Sequence, residues 1–364
     1  MLLKELLDFF ENFAPGSLQE SYDNSGLQLG LPMQEISRGL ICLDVTPAVI
    51  TEAIEKGCDL IISHHPLIFN GLKRLTGQHY TERIIIEAIK NNIAIVSIHT
   101  NLDNVKNGVN YLLGSKMGLK NLEVLLPKKG LLKKLVTFCP VSHAEKVRNA
   151  IFEAGAGQIG EYDCCSFNME GLGTFRAGKK ANPFVGKHNE MHFETELRIE
   201  TVLPAYLEKK VISAMIKNHP YEEVAYDIYP IENTFGKVGA GMTGEFEIPL
   251  SENEFLEMLK KKLRIPCLRH TGFSGKAIKK VAFCGGSGSF LINNAISSGA
   301  QAFVTGDLKY HQFFEADGKI LLVDAGHYET EQFTKELLYD IVNKNFSKFA
   351  LLISGVNNNP VNYF

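Results

Sequence analysis

The run Asp59-Leu60-Ile61-Ile62, closing in Ser63-His64-His65-Pro66, constrains this chain most. It is short and apolar and follows a turn residue, Gly57, which reads as a buried strand. Two adjacent imidazoles end it, at the carboxyl edge where open α/β sheets bind their ligands. Neighbouring residues on an ideal strand point to opposite faces. Pro66 biases His65 toward an extended backbone, and the strand ends here. Both rings could therefore turn toward one site or toward two adjacent metals. An ordinary pair of hydrogen-bonded histidines would also satisfy the pattern.

The flanking sequence extends this strand into a larger unit. A strand over 39–43 leads to a helix that begins at Thr46-Pro47, with Thr as N-cap and Pro at the first helical position. A second helix over 81–90 and a strand over 93–98 follow, ending in His99-Thr100-Asn101-Leu102-Asp103. This βαβαβ alternation predicts a parallel sheet with crossover helices. The C-terminal segment repeats the plan. A shift of 242 positions lays Cys42 on Cys284, Gly57 on Gly299 and the His-His position on Gly306-Asp307. A shift of 228 lays His99-x3-Asp103 on His327-x3-Glu331. Two related α/β halves are expected, each ending its strands in metal-type side chains.

Between the halves, 128–231 reads strand, helix, two strands, helix, strand. That is the βαββαβ order of a ferredoxin-like α+β unit. The polar stretch 177–189 inside it reads as an exposed hairpin or loop. The expected organisation is a discontinuous α/β domain, 1–127 with 232–364, carrying an inserted domain over 128–231.

A net charge of -3 argues against a nucleic-acid-binding surface as the main function. Seven cysteines with no CxxC pair fit reduced thiols in a cytoplasmic protein. The first thirteen residues carry Leu2, Leu3, Leu6, Leu7, Phe10 and Phe13 at helical spacing, with acids on the other face. They predict an amphipathic helix rather than a signal peptide. No apolar run approaches the roughly 18 residues of a membrane span.

The strand-end residues His64, His65, His99, Asp103, His327 and Glu331 form a mixed nitrogen and oxygen set. Such a set suits zinc first, with manganese, iron or nickel as alternatives. Six donors exceed one tetrahedral site and fit two divalent ions per chain, with a carboxylate as bridge. His327 and Glu331 share a face if a helix begins there. Cys284-Gly285-Gly286-Ser287-Gly288-Ser289 follows a strand and could be an anion-binding loop or simply a tight turn. Lys309, Tyr310 and His311 could face a substrate or lie on a surface helix.

The runs His64-His65-Pro66-Leu67-Ile68-Phe69, Ser97-x-His99-Thr100-Asn101-Leu102-Asp103, Cys284-Gly285-Gly286-Ser287-Gly288, Thr305-Gly306-Asp307-x-x-Tyr310-His311 and Asp324-x-Gly326-His327-Tyr328-x-Thr330-Glu331 resemble the NIF-three-like family. Bacterial members of that family carry the label GTP cyclohydrolase 1 type 2 homologue. The insert resembles the CutA-like, PII-like domain of the longer members, most tellingly at Asn218-His219-Pro220-Tyr221-Glu222-Glu223-Val224-Ala225-Tyr226. The resemblance implies a dinuclear metal site at His64, His65, Asp103, His327 and Glu331. His99 lies at its edge as a candidate proton shuttle, and a ring-shaped homohexamer is implied as well. The expected activity is metal-dependent hydrolysis of a nucleotide-like small molecule. The alternatives are a metal-binding regulatory or chaperone-like hexamer that senses a ligand through its insert, and a toroidal nucleic-acid-binding assembly.

Overall fold

The apolar run before His64 forms a fully buried strand, Leu60–Ser63, at the centre of a five-stranded sheet. The computed structural model describes residues 1–363. The sheet runs Gly26–Leu29, Ala94–Ser97, Leu60–Ser63, Arg38–Cys42, Ala350–Ile353. The first pair is antiparallel and the others are parallel. Buried on both faces, these strands alternate their side chains between two helical layers. Ile41, Leu60 and Ile62 meet helices Leu3–Phe13 and Thr334–Asn345. Leu40, Ile61 and Ile95 meet Pro47–Glu55 and Tyr80–Lys90. The Thr46 hydroxyl caps Pro47–Glu55 by accepting from the Val49 amide at 3.3 Å.

A six-stranded sheet holds the second half, in the order Arg269–His270, Leu321–Asp324, Ala302–Gly306, Ile278–Ser287, Gly239–Leu250, Lys120–Pro127. Ile278–Ser287, Ala302–Gly306 and Leu321–Asp324 are parallel neighbours, a trio matching Arg38–Cys42, Leu60–Ser63 and Ala94–Ser97 of the first sheet. The repeat read from the sequence is therefore a repeat of strands. His64 and Asp307 follow the middle strand of each trio, and His99 and His327 follow the third. Ile278–Ser287 runs farther than its sequence suggests and carries Cys284, Gly285 and Gly286 within the strand.

The chain divides into two compact units, Met1–Pro127 with the chain from Lys237 on, and Lys128–Gly236. The second crossing thus falls at Gly236 rather than at 231. The inserted unit is a four-stranded antiparallel sheet ordered Ser166–Arg176, Met191–Pro204, Leu132–Pro140, Tyr226–Ile231. Helices Ala144–Glu153 and Glu208–Asn218 share its core through Val147, Ile151, Val211 and Met215. The polar stretch 177–189 joins its two longest strands. Among the described residues no helix is long and apolar enough to cross a membrane.

Candidate metal centre

Three segments at strand carboxyl ends bring their polar side chains together. His64 and His65 follow Leu60–Ser63, and His99 follows Ala94–Ser97. Asp103 lies on the short helix Thr100–Asn104, and His327 and Glu331 open and close His327–Glu331. That helix puts the last two side chains four residues apart on one face, 3.1 Å between Nε2 and Oε2. The other Glu331 contacts are His65 Nε2 at 3.0 Å to Oε2 and His64 Nε2 at 3.8 Å to Oε1. His64 Nε2 also lies 3.5 Å from Asp103 Oδ1.

These donors form three overlapping groups able to hold a cation: His64–Asp103–Glu331, His65–His327–Glu331 and His64–His65–His99. All six residues singled out in the sequence are among them. Glu331 belongs to two of the groups, and its two oxygens face different ones.

The imidazoles are fastened from behind. Nδ1 of His64 lies 2.8 Å from the Ile98 carbonyl, and Nδ1 of His65 lies 2.8 Å from Asp44. Nδ1 of His99 is 2.8 Å from Asp23, and Nδ1 of His327 is 2.7 Å from Asp307. Each ring then keeps Nε2 as its remaining nitrogen, which is how carboxylates and carbonyls behind a metal-ligating histidine set tautomer and ring angle. Asp23 is itself held by Thr100 and Ser25. The sequence reading missed Asp23 and Asp44. Asp44 had a legible signal, because it too follows a strand of the parallel trio.

The residues fit a divalent cation on their own chemistry. His64 Nε2 and Asp103 Oδ1 are buried without a hydrogen-bond partner, though they face each other. Unpartnered buried polar atoms are costly, and a cation accepting both lone pairs removes the cost. Electrostatics agree. Burial pushes Glu331 up, but His327, His64 and His65 outweigh it and hold the carboxyl well below its usual range. Burial and the neighbouring Glu331 push Asp103 well above its own. Burial lowers His64. Burial also opposes charge on His65 and His327, yet their carboxylate neighbours raise them to about 10 and about 11. Protons on these two rings offset Glu331, and a bound cation would displace them.

The glycine run does not cradle an anion. The Gly285 amide donates to Asn110 Oδ1 at 2.9 Å, Gly286 to Thr330 Oγ1 at 3.0 Å and Gly288 to Thr305 Oγ1 at 2.8 Å. Its role is space. Gly286 has φ +61°, and a Cβ there would lie 2.3 Å from Glu331 Oε1. The cluster opens into a cavity of about 1100 Å³. Lys309, Tyr310 and His311 do not line it.

An α/β fold with repeated parallel trios and a buried histidine–carboxylate cluster at their carboxyl ends defines a metal-competent class of protein. The family model for Duf34/NIF3 (NGG1p interacting factor 3) matches residues 1–360, and the chain belongs to that family. It is 41% identical to a Bacillus subtilis protein named GTP cyclohydrolase 1 type 2 homolog, over 99% of this chain and 98% of that one. A Staphylococcus epidermidis protein of the same name is 35% identical over the whole of both chains. Among solved structures, a Bacillus cereus protein related to NIF3 matches with a TM-score of 0.87 and 39% identity, covering 100% of this chain and 99% of that one. The Staphylococcus aureus protein SA1388 matches at 0.79 and 32%, with coverage of 100% and 99%.

Proposed function

We propose that the chain holds two divalent cations in this cluster and hydrolyses a nucleotide-like substrate beside them. Glu331 carries the reading: one buried carboxylate belongs to two donor groups, His64–Asp103–Glu331 and His65–His327–Glu331. The name borne by the relatives, GTP cyclohydrolase 1 type 2 homolog, points to the same kind of chemistry. His64, His65, Asp103, His327 and Glu331 would be the ligands. Bound there, the ions would supply Lewis-acid polarisation of a substrate oxygen and acidify water.

The chain's own residues do the rest. Asp44 and Asp307 fix the His65 and His327 rings, so that Nε2 of each faces Glu331. His99 lines the cavity, and its Nδ1 is tied to Asp23. Its other nitrogen is left to take a proton from the nucleophile and return it to the leaving group. Zinc, manganese, iron and nickel all suit the donor set.

Elemental analysis of the purified protein, followed by turnover of a nucleoside and nucleotide panel by the metal-loaded form, tests this. Two equivalents per chain and hydrolysis of a panel member are expected. Two equivalents without turnover would leave a metal-binding protein and remove the hydrolase. Fewer than one equivalent after loading would remove both.

A further inference from the structure

The walls of the cavity say more about what can enter than the cluster does. Seven carboxylates line it, and Arg269 is the only lysine or arginine among the described residues that do. Arg269 is already engaged: its guanidinium pairs with Asp324 and donates to the Leu308 carbonyl at 2.9 Å. The three glycine amides at Gly285, Gly286 and Gly288 are each bonded to a side chain. The wall therefore offers a single guanidinium, whose Nη2 is already held by Asp324 and the Leu308 carbonyl, and no free nest of amides, where a triphosphate normally meets several such donors.

Aromatic surface is present instead. A row of rings leads from the mouth to the cluster. Tyr22 and Phe69 are 6.4 Å apart, Phe69 and His99 6.4 Å, His99 and His65 5.2 Å, and His65 and His327 5.2 Å. Tyr22 and Phe69 are exposed at 63% and 45%. Exposed rings at a cavity mouth provide a stacking surface for a flat heteroaromatic ring.

We infer that the substrate is a planar heteroaromatic compound of nucleobase or nucleoside type, carrying at most one phosphate group and received by Tyr22 and Phe69, and that a triphosphate chain is excluded. This rests on the metal-dependent reading above. Two divalent ions would be offset first by Asp103 and Glu331, leaving a positive charge that one doubly ionised phosphate group of the substrate would neutralise. Further phosphates would meet the carboxylates of Asp44, Asp307 and Glu329 with no cation to answer them.

The test is calorimetric titration of zinc-loaded full-length protein with guanosine and with GTP, magnesium present, with zinc content measured in parallel. Guanosine should bind at least about tenfold more tightly than GTP. Tyr22→Ala and Phe69→Ala should each weaken guanosine by about tenfold, the scale of one lost base–aromatic stack, with zinc content unchanged. GTP binding more tightly than guanosine would overturn the inference. So would guanosine affinity unaffected by both substitutions, or no guanosine binding to fully loaded protein. A protein that cannot be loaded with zinc instead overturns the metal reading. Binding in the predicted order without hydrolysis overturns only the hydrolase.

Discussion

At the scale of single residues, Glu331 and Gly286 are the positions where a change of a few atoms should act most strongly. Glu331→Gln keeps size and removes the charge that two divalent ions would need. Bound metal should fall from two to one or fewer per chain by elemental analysis. The metal-free variant should itself melt below the metal-free parent, because Glu331 is the buried carboxylate that offsets the His65 and His327 rings. Metal adds stability only through its preference for the folded state. That preference amounts to roughly 2.7 kcal/mol when free metal is about 100 times the dissociation constant. Two ions retained by the variant would remove Glu331 as a bridge. Gly286→Ala adds one methyl, but at φ +61° and against Glu331 Oε1. It should lower metal occupancy and also destabilise the metal-free protein by about 1 kcal/mol or more in urea unfolding. Asp44→Asn and Asp307→Asn leave the proposed ligands in place and loosen the rings behind them. Each should weaken metal binding by about 10- to 100-fold in a competition titration.

Among the elements, strand ends and helix starts decide where the chemistry lies, and local signals marked many of them. Thr46-Pro47 starts its helix as read. The helix Glu252–Leu263 carries a capping box in which Ser251 and Glu254 bond each other's backbone amides. In the inserted unit, His219 closes Glu208–Asn218. Its Nε2 lies 2.9 Å from the Phe138 carbonyl, and its Nδ1 accepts from the Tyr221 amide at 3.1 Å. Burial holds this imidazole below its usual value, so the folded unit favours the neutral ring. A depressed folded pKa contributes stability that is present above the unfolded value of about 6.5 and is lost as pH falls below it. The 128–236 unit should therefore be less stable toward urea at pH 5.5 than at pH 7.5. His219→Asn should narrow that difference; an unchanged difference would assign the acid sensitivity to other groups.

On the scale of the whole molecule, chain order and spatial order diverge. Ala350–Ile353, near the end of the sequence, pairs in parallel with Arg38–Cys42 near its start. The first unit is therefore closed by both outer segments, whereas Lys128–Gly236 has its own core. Replacing 128–236 with a short linker should leave a soluble protein that still loads metal. Ending the chain before Ala350 should not, because it bares an edge of the five-stranded sheet; solubility and elemental analysis of the two deletions check this. Residue order by itself determined the strand–helix alternation, the repeat of the two halves and the six metal-type side chains that follow the strands. Those features depend on hydrophobic period and on turn chemistry, which are local. Only the tertiary structure decided that His64 and Glu331, 267 positions apart, share a cluster, that Asp23 and Asp44 stand behind its rings, and that the glycine run makes room for a carboxylate rather than binding an anion. Those outcomes depend on which side chains meet across strands distant in sequence, and periodicity along one strand carries no record of them.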